Sequence, residues 1–287
     1  MKISQIIEHI DLNSLSEAEQ IAVVSENGYR IVTIRNPSEA VQLAAVRRSG
    51  HVIDIIDNPS EAVQIAAVTQ NGSAIESIKN PSEAVQLAAV SNDYTAIGFI
   101  LDKKIHPSDQ VQVAAVKKHY FALQIMIERG LVPCEEAQIY AVGASDRVLK
   151  ELLAYKIKPS EAVQIAGVKN SGHLLEDILK AGITPSEAVQ LAAVKNYGYA
   201  VQFLYENNIT PSIPVQLESI RQEESNIFLV DRINPNIWSN KEAKKILLTS
   251  LMKASKTNKS LAQSLYGAVK SRVAWPELEI IRNNIYR

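Results

Sequence analysis

The sequence predicts an all-α protein: an α-solenoid of nine short helix-turn-helix repeats, closed by a helical C-terminal cap. Three observations predict it. A ten-residue phrase returns along most of the chain at a near-constant step. Each return opens with proline and polar residues of the kind that start helices. Helix-tolerant residues then run on, in most units to a glycine, before the next proline.

The phrase P-S-E-A-V-Q-[LI]-A-A-V begins at Pro37, Pro59 and Pro81, with variants at Pro107, Pro159 and Pro185. Weaker copies begin at Leu15, Pro133 and Pro211, which makes nine. The step is 22 residues as far as Pro81 and 26 residues from there to Pro211. So short a period means small supersecondary units, each stacked on the next. Residues 1–14 read as an N-terminal cap, 15–235 as the repeats and 236–287 as the C-terminal cap.

In the second copy, Asn36 is expected to cap a helix, Pro37 to occupy its first position and Glu39 to supply a capping-box carboxylate. Ala40 to Arg48 tolerate a helix, and Gly50 is expected to end it, as are Gly28, Gly72, Gly172 and Gly198. A shorter second helix follows over roughly Val52 to Asp57. The next proline, lacking a backbone donor, blocks a continuous helix. Strand competes for β-branched runs such as H-V-I-D-I-I-D, but a proline-capped helix on each side opposes it. In the longer units the four extra residues fall late, as in L-D-K-K-I-H-P, and should add about one turn to the second helix. Ala40, Val41, Leu43, Ala44, Ala45 and Val46 cover most of the first helix, which predicts burial between neighbours.

The C-terminal cap reads differently. Residues 236–287 hold seven lysines and three arginines against three glutamates, a net charge of +7. With a whole-chain charge of −1, the remainder carries −8. Ala243 to Met252 and Leu261 to Val273 read as amphipathic helices, with Trp238 and Trp275 able to pack. This is a basic helical cap on an acidic solenoid.

Composition excludes several classes. A hydrophobic content of 46% with 21% charged residues opposes disorder. The near-neutral balance gives no general attraction to nucleic acid or anionic membrane. Cys134 is the one cysteine, so no intrachain disulfide can form, and a cytoplasmic setting is expected. The N-terminus carries Glu8 and Asp11 where a signal peptide needs an apolar core, and no run of about 18 apolar residues occurs to span a membrane.

The units A-A-V-K-N-Y-G-Y-A-V-Q-F-L and N-P-S-E-A-V-Q-L-A-A-V resemble tandem repeats of bacterial and bacteriophage proteins of unassigned function. The resemblance covers roughly residues 15–235. It implies a helical-repeat fold and a phage or mobile-element origin, hence a host cytoplasm, and it transfers no catalytic residue.

Several recurring residues invite a chemical role. One glutamine returns per unit: Gln20, Gln42, Gln64, Gln86, Gln112, Gln138, Gln164, Gln190 and Gln216. A buried amide must find partners, so a structural ladder to the neighbouring repeat is expected ahead of ligand contact. The acids Glu17, Glu39, Glu61, Glu83, Asp109, Glu135, Glu161 and Glu187 fall in the first helical turn, where carboxylates meet free backbone donors. Capping explains them better than catalysis. His9, His51, His106, His119 and His173 have no metal-ligand spacing, and Cys134 stands where other units have serine. No phosphate-binding or nucleophile-elbow motif occurs, so neither metal nor cofactor is expected and the protein reads as no enzyme.

The turn between the two helices is richer. It gathers Arg47, Arg48, Lys117, Lys118, Lys169, Lys195 and Arg221 with Tyr29, His51, Tyr94, His119, Tyr120, Arg147, His173, Tyr197 and Tyr199. Equivalent turns in a solenoid align along one edge, where such groups can grip acidic protein surface or stack on bases. The copy at Pro133 departs from the rest, with Glu136 and Tyr140 at small or apolar positions and S-D-R in place of the glycine turn. The expected partner is therefore a protein, such as a host defence complex inhibited by a phage product. The alternative is nucleic acid, bound through the basic cap and the turn edge.

Overall fold

A computed structural model of the protein describes residues 11–223, 226 and 239–286. Among these residues it is all-helical, an α-solenoid in which successive helices pack on their neighbours, and no strand occurs. It divides into two compact units, Met1–Ala141 and Val142–Arg287.

The first helices of the repeats are α1 (Glu17–Glu26), α2 (Glu39–Arg48), α3 (Glu61–Gln70) and α4 (Glu83–Asn92) in the 22-residue units. Between them lie 3-10 helices at Gly28–Thr33, Gly50–Ile55 and Gly72–Ser77. From Ala96 the second segment becomes α-helical. The order is α5 (Ala96–Asp102), α6 (Asp109–Lys118), α7 (Phe121–Glu128), α8 (Glu135–Ala144) and α9 (Asp146–Ala154). There follow α10 (Glu161–Asn170), α11 (Leu174–Lys180), α12 (Glu187–Asn196), α13 (Ala200–Glu206) and α14 (Ile213–Gln222). The extra four residues thus convert a 3-10 segment into an α-helix and do not merely lengthen it. They also supply a left-handed C-terminal residue: Lys104, Gly130, Lys156, Gly182 and Asn208 have φ between 58° and 82°. The next residue's N–H then bonds back into the helix, as from Ile157 to the Leu152 carbonyl at 2.9 Å.

The helix starts differ from the sequence expectation. Ser38, not Asn36, is the N-cap of α2; its Oγ accepts the Val41 N–H at 3.4 Å. Asn36 stands one residue before Pro37 with φ 50°, the left-handed region that asparagine tolerates. Glu39 makes no capping box, because valine occupies the third helical position. In α1, with Glu19 there, the box does close with Ser16. The first-turn carboxylates instead reach forward. The hydroxyls of Ser38, Ser60, Ser82 and Ser108 donate to Glu17, Glu39, Glu61 and Glu83 of the preceding repeat. In the second unit Ser186 donates to Glu161, and Ser212 to Glu187 at 2.7 Å. Ser38, Ser60, Ser82, Ser108 and Ser186 so cap their own helices and tie them to their neighbours, while Ser212 makes the tie without a side-chain cap bond.

The glycines also have another role. α2 ends at Ser49 in extended conformation, and Gly50 opens the 3-10 segment. A Cβ on Gly28, Gly50, Gly72 or Gly172 would lie 2.5–2.7 Å from the carbonyl oxygen of Ala45, Ala67, Ala89 or Ala193 in the next repeat. Close backbone stacking, not helix termination, requires glycine there.

The core follows the repeat. Val41, Ala45 and Val46 are fully buried, as are Val63, Ala67 and Val68 one unit on. At the C-terminal end α15 (Lys241–Thr257), α16 (Lys259–Lys270) and α17 (Glu277–Tyr286) form a three-helix cap on α14. Leu217 and Ile220 enter the cap's core beside Leu247, Leu251, Leu265 and Ile281, and Trp275 packs against it. Of the two amphipathic helices expected from the sequence, the first runs longer at both ends, the second starts two residues earlier and stops at Lys270 instead of Val273, and α17 adds a third. Trp238 and the 1–10 part of the N-terminal cap lie outside the described residues.

Candidate functional site

The first helices are not buried all round. Their core faces carry Val41, Ala45 and Val46, while on the opposite face Ala40 is exposed, Leu43 and Ala44 are half-buried and Arg47 is exposed. One unit on, Ala62, Ile65, Ala66 and Thr69 repeat this arrangement. The burial expected from an apolar circumference fails because helices in a single stacked row have neighbours on three sides only. The result is a ribbon of small apolar residues, and between α2 and α3 it opens a groove of about 600 Å³ lined by Leu43, Arg47, Ile65, Ala66 and Thr69. Tyr140, 43% exposed, stands at the ribbon position that is alanine in the units before it.

The two long edges of the row are opposite in charge. Glutamates lie at the helix N-termini, and Arg47, Arg48, Lys117, Lys118, Lys169 and Lys195 lie in last turns, all exposed. Both placements complement the helix dipole, so part of this pattern is structural. The carboxylates are engaged by the cap serines, and Arg48 Nε donates to the Glu26 carbonyl at 3.1 Å.

Tyr29 is exposed and His51 pairs with Asn71, and the other aromatic residues of the turn edge gather into two stacks, one in each unit. His119 lies 4.9 Å from Tyr94, 4.8 Å from Tyr120 and 4.9 Å from Phe121 by ring centroid. In the second unit His173 stacks on Tyr197 at 3.9 Å, with Tyr199 at 5.7 Å from Tyr197. Lys117 and Lys118 immediately precede the first stack, and Lys195 precedes the second. Arg147 departs from its expected place: it sits in the first turn of α9 and pairs with Glu151 at 2.8 Å. Tyr140 lies on the ribbon, away from the turn.

The glutamines hold their own units together. Gln42, Gln64, Gln86 and Gln112 each donate to the carbonyl of Pro37, Pro59, Pro81 or Pro107 at 3.0–3.1 Å. At Gln112 the amide oxygen also accepts the Cys134 N–H of the next repeat, at 2.8 Å. The expected reach to the neighbour is thus the minor part. The main inter-repeat amides are others. Asn92 Oδ1 accepts the Gly72 N–H at 2.8 Å while its Nδ2 donates to the Thr69 carbonyl, and Asn196 does the same to Gly172 and Lys169. Asparagine recurring at 92, 170 and 196 was the available signal, masked by Arg48, Gln70 and Lys118 at the same position.

Among the described residues no group of three or more His, Cys, Asp or Glu could hold a metal. Burial pushes the Cys134 thiol up, away from thiolate, with Asp109 and Glu136 adding to the effect. Among the same residues no helix is long and apolar enough to cross a membrane. No protein-family model matches the chain, and none of the curated proteins compared with it matches.

Proposed function

We propose that the protein is a non-enzymatic binding scaffold whose partner is another protein, held on the ribbon of the first helices. The observation that carries this reading is the repeated, solvent-facing Ala–Leu/Ile–Ala surface with the groove between α2 and α3. A smooth apolar surface of small residues lets another backbone approach closely, and the flanking Arg47 and the protruding Tyr140 are residue types enriched at interface centres. The resemblance to phage-borne repeats directs the search for the partner to host proteins. The test is affinity capture from a nuclease-treated lysate, comparing the native chain with Ala66→Arg and Tyr140→Ala. A protein retained by the native chain and lost with either variant supports the reading; equal retention by all three refutes it.

A second reading, nucleic-acid binding, rests on the two aromatic stacks beside Lys117, Lys118 and Lys195. Bases stack on such rings and phosphates meet the lysines. Binding of single-stranded DNA or RNA that falls steeply with salt and is weakened by Tyr120→Ala would favour it.

A further inference from the structure

The cap carries a second, sharper recess. On α15 the exposed Lys241, Lys245, Thr249 and Lys253 are spaced four apart and form one stripe. Glu242, Ile246 and Ser250 form the adjacent stripe, with Ile246 and Ser250 largely buried. The opposite wall is Arg221 of α14, held by Glu242 at 2.6 Å and Glu218 at 3.2 Å. Together they line a groove of about 630 Å³. Arg221 pairs with Glu242, and Lys241 and Lys245 add positive charge to the groove lining. The groove also lies at the end of a row: Lys169, Lys195 and Arg221 occupy the same last-turn position of α10, α12 and α14, which pack in succession.

We propose that this groove receives an acidic amphipathic helix of the partner protein. The proposal deepens the scaffold reading and rests on it. Lysines one helical turn apart match carboxylates at the same spacing on a helix laid alongside α15. The lysine stems offer that helix's apolar stripe a surface, with the small exposed edge of Ile246 at the groove floor. A nucleic-acid strand would gain from the lysines but has no apolar stripe to lay along their stems. The cap's +7 against −8 elsewhere makes this segment the more attractive one for an acidic partner.

The experiment uses the full chain and fluorescence anisotropy with three labelled probes. One is a designed Leu/Ala/Glu amphipathic peptide of about 18 residues, roughly five helical turns. The second is its scramble, of equal composition and charge but no apolar stripe, and the third is oligothymidylate. The amphipathic peptide should bind roughly ten-fold tighter than the scramble, and Lys241→Glu with Lys245→Glu should weaken it by a similar factor. Ala66→Arg, on the ribbon and not among the residues lining this groove, should leave peptide binding unchanged. Equal binding of peptide and scramble overturns the proposal, as bare charge attraction would then suffice. Tighter binding of oligothymidylate overturns it in favour of nucleic acid. Loss of peptide binding with Ala66→Arg but not with the lysine variants also overturns it, and leaves the scaffold reading intact. Circular dichroism of each variant confirms that the fold is retained.

Discussion

The repeat is held at the residue scale by polar side chains with two partners each. Gln112, 1% exposed, joins the Pro107 carbonyl to the Cys134 N–H. Gln112→Ala leaves the buried Pro107 carbonyl and the half-buried Cys134 N–H without this partner, and should cost about 1–3 kcal/mol in denaturant unfolding. The glycines make a contrasting pair. Gly72→Ala should destabilise strongly, because the new Cβ would stand 2.7 Å from the Ala89 carbonyl oxygen. Gly143→Ala, in a helix with nothing within 4 Å, should be neutral or stabilising by up to about 1 kcal/mol. Thermal unfolding of the two variants beside the native chain checks both. The sequence pointed to the capping region but to the wrong capping residue. Asparagine before proline and serine after it are both good caps, and only the backbone shows which one turns into the helix.

At the element scale, the period carried most of the information. Proline starts every unit after the first in the sequence, and every first helix begins two residues beyond the corresponding proline or Leu15. The second segments were harder to read, since a β-branched six-residue stretch between two turns has no periodicity long enough to separate 3-10 from α geometry. Hydrogen exchange should report the difference. The 3-10 segment Gly50–Ile55 has poorer hydrogen-bond geometry than α11, so its amides should exchange faster than those of Leu174–Lys180. Equal protection would mean that packing, not helix type, governs local opening. The candidate surface was half legible. The basic and aromatic turn positions were visible as letters, but the ribbon was not, because an apolar circumference does not say which side a row of helices leaves uncovered.

At the scale of the whole molecule, each repeat contacts chiefly its neighbours, and stability should be close to a sum over units and their interfaces. Removing residues 59–80, one full 22-residue period, joins Asn58 to Pro81 in register and brings Ser82 to the carboxylate of Glu39. The shortened chain should fold with the same helical signature by circular dichroism and a lower melting temperature. Loss of folding would show that the units are not interchangeable. A deletion of half a period should fail to fold, because it sets the alanine carbonyls out of step with the glycines.

The serine–glutamate ties have a mechanical consequence. They cross every boundary where the structure records them near the surface and on one edge only, so tension along the chain would load them one after another. Stretched between its ends, the protein should lengthen in steps, with each released 26-residue repeat adding about 90 Å of slack before the next tie bears the load. Such a chain yields gradually under force and recovers by re-stacking.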